Sequence, residues 1–136
     1  MNFKILGIEH IGIAQDKDSN KLSSFFENVL NLSRVSEVVK EQKVLTEIFD
    51  TGAGKIELLS ATDKDSVINK YLAKKGKSVH HIAILVDDLN EALDYLKSKN
   101  VKLINKTPQK GADNMKIAFV HPHSTPGILL ELCQEA

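Results

Sequence analysis

A short strand-like segment around His10, Leu6-Gly-Ile-Glu-His10-Ile-Gly-Ile-Ala14, recurs around His81 as Ser78-Val-His-His81-Ile-Ala-Ile-Leu85. Each copy closes on a second apolar segment with a lone glutamate inside it, Glu57 in the first and Glu131 in the second. The histidines stand 71 residues apart and the glutamates 74. At an offset of 71, Leu22, Phe25 and Leu32 fall on Leu93, Leu96 and Leu103, so the segment after each His strand repeats as well. Two copies, with a period longer than that of the usual solenoids, predict a pseudo-twofold domain and not an array.

Hydrophobic period gives the element order inside each copy. Residues 6–14 and 79–86 are short, rich in Ile and Val, and bounded by polar or turn residues, as strands are. The spacing predicts a helix over 18–30, with Asp18 or Ser19 as N-cap and Leu22, Phe25, Phe26, Val29 and Leu30 buried. It predicts a second over 88–99, with Asp87 or Asp88 as cap and Leu89, Ala92, Leu93 and Leu96 buried. Three short strands follow each helix, at about 33–40, 43–50 and 55–60, then at about 101–105, 115–121 and 127–134. Each copy therefore reads β-α-β-β-β, an α+β class. A connecting helix is predicted over 65–75, stopped by Gly76. The whole of 1–136 reads as one domain, with module 1 at about 5–61 and module 2 at about 78–135.

Composition excludes some partners. The 18 basic and 18 acidic residues cancel, and no Lys/Arg stripe forms, which argues against nucleic acid and anionic membrane and for a small-molecule partner. No window approaches the ~20 apolar residues of a membrane span. The N-terminus runs directly into the first strand without an apolar stretch of signal-peptide length, and the single cysteine, Cys133, has no partner for an internal disulfide. A cytoplasmic location is the expectation.

Side chains alternate across a strand, so His10 shares a face with Gly12 and Ala14, and His81 with Val79 and Ala83. A small residue two places on leaves room beside each ring. Two histidines and two glutamates at matched places are the residue types of a divalent-metal site, and inward side chains from matched strands could meet in a cleft. His80, of opposite parity, is expected to pack on the back of the sheet. His121 and His123, around Pro122, are expected on a surface or substrate loop, and Cys133 as a small buried hydrophobe.

The stretches Ile8-Glu-His-Ile-Gly-Ile-Ala14, Glu41-Gln-Lys-Val44, Lys55-Ile-Glu-Leu-Leu59, Ser66-Val-Ile-Asn-Lys-Tyr-Leu72, His80-His-Ile-Ala83, Phe119-Val-His-Pro122 and Gly127-Ile-Leu-Leu-Glu-Leu-Cys133 resemble the vicinal oxygen chelate superfamily. Within it they look most like the methylmalonyl-CoA epimerase family. The resemblance covers nearly the whole chain. It implies the vicinal oxygen chelate fold, two pseudo-symmetric βαβββ modules forming a metal-binding cleft, with His10, Glu57, His81 and Glu131 as ligands. The metal implied is divalent, Co(II) first, with Mn(II), Ni(II) or Zn(II) as alternatives. The family often carries Gln where Glu57 stands, so this site gains a negative charge.

The activity implied is interconversion of (2R)- and (2S)-methylmalonyl-CoA through a metal-stabilised enolate, with an acyl-CoA substrate and a homodimeric assembly. Glu131 would be one acid/base group. The second family glutamate aligns with Thr46, and Glu47 takes its role if the strand slips by one residue, which would otherwise leave it on the wrong face. The segment Lys110–Lys116 matches a mobile Gly-rich loop, with Asp113 and Asn114 replacing glycines, and Lys106, Lys110 and Lys116 are the candidate cations for CoA phosphates. A glyoxalase I-like isomerase of glutathione hemithioacetals and a non-catalytic small-ligand binder are the alternative functions.

Overall fold

A computed structural model describes residues 1–16 and 20–136; the expected caps Asp18 and Ser19 lie outside the described residues. The chain divides into two compact units, one of His10–His80 and one of His81–Ala136 together with Met1–Glu9. The expected first module begins at residue 5, whereas the division falls between Glu9 and His10. The first residues join the second unit through specific contacts. Lys4 N donates to Asp87 Oδ1 at 2.7 Å, Asp87 N donates to Lys4 O at 3.1 Å, and Phe3 meets the edge of Tyr95 at 5.7 Å.

In the His10–His80 unit the strands β1 (Ile5–Ala14, from His10 on), β2 (Arg34–Val39), β3 (Val44–Asp50) and β4 (Lys55–Ala61) stand in the order β2-β3-β4-β1. β1 and β4 run parallel, and the other pairs are antiparallel. A parallel pair needs a long crossover, here supplied by α1 (Lys21–Ser24) and the β2-β3 hairpin. The second unit repeats the plan with β5 (Ser78–Val86, from His81 on), β6 (Gln109–Lys110), β7 (Met115–Val120) and β8 (Leu130–Glu135), ordered β5-β8-β7-β6, β5 and β8 parallel. The connecting helix α2 (Val67–Lys75) is capped by Ser66, whose Oγ accepts from Ile68 N at 3.3 Å, and ends at Gly76 with φ 69°. Helix α3 (Leu89–Ser98) is capped by Asp88, whose Oδ1 accepts from Glu91 N at 3.0 Å. Among the described residues no helix is long and apolar enough to cross a membrane.

Each unit buries one sheet face under its helix. Leu89, Ala92 and Leu93 of α3 pack on Val86, Leu103, Ala118, Val120 and Leu132. Phe26 packs on Phe49 and Leu58, with Leu22 and Leu32 beside it. The first helix departs from the predicted stripe. It opens into a π-turn at Phe25–Val29, with Leu30 N bonded to Phe25 O at 3.0 Å. The i→i+5 bond adds a residue to the turn, and at about 100° per residue the later side chains rotate out of the apolar stripe. Phe25, Val29 and Leu30 are therefore exposed rather than buried.

One further expectation is corrected: residues 101–105 form no strand, only a single bridge between Leu103 and Val120. The Lys110–Lys116 segment closes as a tight hairpin turn. Asp113 and Asn114 both take left-handed φ, 56° and 57°, between the paired residues Ala112 and Met115. Two central residues of positive φ make the turn whose twist suits a hairpin, and Asn and Asp enter that region at low cost. Gly111 is required for a different reason: a Cβ there would come 2.7 Å from Ile117 Cγ2.

The core and the π-turn predict opposite outcomes for two truncations at helical positions. Leu93→Ala, at 2% exposure, is expected to cost about 2–5 kcal/mol, measured by urea unfolding. Val29→Ala, at 67% exposure, is expected to stay within about 0.5 kcal/mol of the parent.

Candidate active site

The parallel pairs carry the four ligand candidates at one repeated register. In the first unit Gly12 stands opposite Glu57, and His10 precedes Gly12 by one step of the same face. In the second unit Ala83 stands opposite Glu131, and His81 precedes Ala83 in the same way. The antiparallel neighbours repeat too, Ile48 opposite Glu57 and Phe119 opposite Glu131. Each unit thus presents one His and one Glu on the sheet face opposite its α1 or α3 helix.

All four side chains are buried, at 4–6% exposure. His10 Nδ1 lies 3.2 Å from Glu57 Oε2, and His81 Nε2 lies 3.6 Å from Glu131 Oε1, the second too long for a hydrogen bond. Two ligands sharing an ion at about 2.0–2.2 Å sit roughly 3.0–3.5 Å apart; the His10–Glu57 separation falls within that range and the His81–Glu131 separation just beyond it. The donor set of imidazole and carboxylate is that of a divalent transition ion. Around His81 and Glu131 the face is apolar: Ala83, Met115, Ile117 and Cys133 are buried, Leu85 packs on them, and Phe119 meets the His81 ring edge-on at 5.5 Å. On the first unit, Ile68 of α2 covers the far end of the same face over Ala14, Val44, Leu59 and Ala61.

Glu47 is not part of this face. The β3-β4 register runs without a slip, Thr46 opposite Leu59, Glu47 opposite Leu58 and Ile48 opposite Glu57. Thr46 therefore shares the His10 and Glu57 face, and Glu47 points to the α1 side with Phe49 and Leu58. There its Oε2 accepts from Arg34 at 3.0 Å and its Oε1 from Gln15 Nε2 at 3.1 Å, while Arg34 also pairs with Glu27 at 3.4 Å. Glu37, not singled out from the sequence, stands directly opposite Thr46 across the β2-β3 hairpin, half-buried, on the face of His10 and Glu57. The hairpin length was the available signal, since Val39 opposite Val44 sets the whole register.

The other histidines lie elsewhere. His80 packs edge-on against Tyr71 at 4.7 Å, and burial lowers its pKa, which keeps the ring neutral at pH 7. His121 Nδ1 accepts from His123 N at 3.0 Å in the loop before β8. Lys110 and Lys116 stand opposite each other on β6 and β7, both exposed, with Lys116 on the face away from Glu131, and Lys106 is exposed too.

This duplicated arrangement has known counterparts. The chain belongs to the Glyoxalase/Bleomycin resistance protein/Dioxygenase superfamily, whose family model matches residues 9–119. Its relatives include the uncharacterized protein YqjC of Bacillus subtilis strain 168, 44% identical over 130 residues, 93% of this chain and 91% of that protein. Human mitochondrial methylmalonyl-CoA epimerase is 35% identical over 130 residues, 93% of this chain and 73% of that one. A methylmalonyl-CoA epimerase solved in complex with methylmalonyl-CoA and NH4+ matches with a TM-score of 0.89 at 32% identity, over 98% of this chain and 96% of that chain.

The placement of Glu47 gives a direct test. Glu47→Gln is expected to lower stability by about 1 kcal/mol through its bonds to Arg34 and Gln15. Co(II) affinity, measured by titration calorimetry, is expected to stay at the parent value, whereas Glu57→Ala and His81→Ala lose it.

Proposed function

We propose that this protein is a divalent-metal-dependent epimerase that interconverts (2R)- and (2S)-methylmalonyl-CoA. The observation that carries the reading is the buried His/Glu pair repeated at one strand register in both units, in a chain whose relatives include named methylmalonyl-CoA epimerases. His10, Glu57, His81 and Glu131 would hold the ion, Co(II) first among Co(II), Mn(II), Ni(II) and Zn(II). When bound, the ion supplies a Lewis acid toward the thioester oxygen and the free carboxylate, where charge develops in the enolate.

The chain's own residues do the rest. Glu131 takes the C2 proton and returns it in the reverse direction, because the C–H bond between two carbonyl carbons is the acidic one. The apolar wall of Ala83, Met115, Ile117 and Phe119 keeps water away, and charges act more strongly across such a dry surface. The CoA tail is long enough for its phosphates to reach exposed lysines, and Lys106, Lys110 and Lys116 are our candidates. A homodimer in the cytoplasm completes the proposal, and the apolar row Ile5, Leu6 and Ile8, at 57–61% exposure, offers it contact surface.

Metal-loaded protein in deuterated water, given one epimer of methylmalonyl-CoA and followed by proton NMR with a stereospecific mutase to report inversion, is expected to exchange and invert C2. Chelation abolishes both, and Glu131→Gln lowers inversion by about 10²–10⁴-fold. Absence of exchange with all four metals overturns the reading and moves the assay to hemithioacetal isomerisation.

A further inference from the structure

Lys110 and Lys116 stand opposite each other on β6 and β7 and project from the face away from Glu131. The face of His10 and Glu57 has lysines beside it in its own unit, carried by α2. We infer that Lys70 and Lys74 of α2 bind the diphosphate and 3′-phosphate of an acyl-CoA whose thioester lies at that face. The inference rests on the epimerase reading and deepens it by placing the substrate's phosphates.

Three observations within the His10–His80 unit support it. First, α2 packs on the ligand face itself. Ile68, 1% exposed, lies over Ala14, Val44, Leu59 and Ala61, with Tyr71 and Leu72 beside it. Leu59 and Ala61 follow Glu57 on the same side of β4, so the helix stands two to four strand residues from that carboxylate, about 7–13 Å along the strand. The arm of CoA between its sulfur and the first phosphorus is a chain of about 13 bonds. At the reach of an extended backbone, about 3.3–3.6 Å for three bonds, it spans about 15 Å. That length carries a phosphate from a thioester at Glu57 past Ile68 to the outer side of the helix.

Second, the lysines are on that outer side. At about 100° per residue Lys70 and Lys74 lie about 200° and 240° around the helix from Ile68, and both are exposed. Third, their placement does not serve the helix. A lysine in the last turn, such as Lys74 or Lys75, complements the helix dipole, whereas Lys70, a turn earlier, gains little from it and repels Lys74 at i,i+4. No carboxylate stands three or four positions from either one, where Ser66, Val67, Tyr71, Ala73, Lys77 and Ser78 are found. Among the described residues neither forms an ion pair, while Lys77 is engaged by Asp16 at 3.2 Å. Two like charges kept side by side without a counter-ion are explained by an anion supplied from outside, and phosphate oxygens accept from ammonium groups.

Calorimetric binding of CoA to the Co(II)-loaded full-length protein tests this without turnover. The Lys70→Gln/Lys74→Gln variant keeps the helix propensity of the exposed face and is expected to bind CoA about 10-fold more weakly than the parent. The salt dependence of CoA binding is expected to fall with it, because added salt screens those exposed charges. A charge-matched variant at the end of α3, Lys97→Gln/Lys99→Gln, is expected to bind within about twofold of the parent. CoA affinity of the α2 variant within about twofold of the parent overturns the inference. So does an equal loss in both variants, which marks an effect of net charge alone, and so does a parent that binds no CoA. A parent that binds CoA through Lys70 and Lys74 but leaves the C2 proton of methylmalonyl-CoA unexchanged overturns the epimerase reading and leaves this site standing.

Discussion

The parallel pairing of β1 with β4, and of β5 with β8, is the constraint on which the rest depends. It fixes Gly12 beside Glu57 and Ala83 beside Glu131, and alternation then brings His10 and His81 to the same faces. A one-residue slip in either pair would send a glutamate into the helix-covered core and a leucine onto the ligand face. The small residues at 12 and 83 leave the space that the carboxylates occupy. The helices follow from the same pairing, because a parallel pair must be joined across a sheet face, and that crossover covers the face opposite the ligands.

Burying an imidazole and a carboxylate together is not a route to stability. Each charge taken from water costs several kcal/mol, and apolar residues of similar volume often serve the core as well or better. Glu57 sits between Ile56 and Leu58, and Glu131 between Leu130 and Leu132, so apolar side chains were compatible with both strands. Two units that accept this cost at the same register are explained by a ligand that offsets it. In each unit the donor types, an imidazole nitrogen beside a carboxylate, suit a transition ion better than one bound through oxygens alone.

Much of this was legible in the sequence because it rests on strict period. The duplication, the strand parity of His10 and His81, the cap Asp88 and the stop at Gly76 are all local or two-residue signals. What escaped depends on geometry that period does not carry. The π-turn at Phe25–Val29 leaves an apolar pattern that reads as an ordinary helix, yet exposes three of its five apolar members. The strand expected over 101–105 is apolar enough but meets β7 at one bridge only. Glu47 and Glu37 lie on opposite faces of the same hairpin, and only the closing pair Val39 and Val44 tells them apart.

The two copies agree at some positions of this face and differ at others. At the candidate ligand positions the copies agree: His, small residue, Glu. At the neighbouring pair on the same faces the copies diverge. Ile117 and Gln109 hold in one unit the places that Thr46 and Glu37 hold in the other, while the strand pairing around them is unchanged. The strand pairing is the same with either set of residues, so the sheet itself does not demand the Thr46 and Glu37 pair.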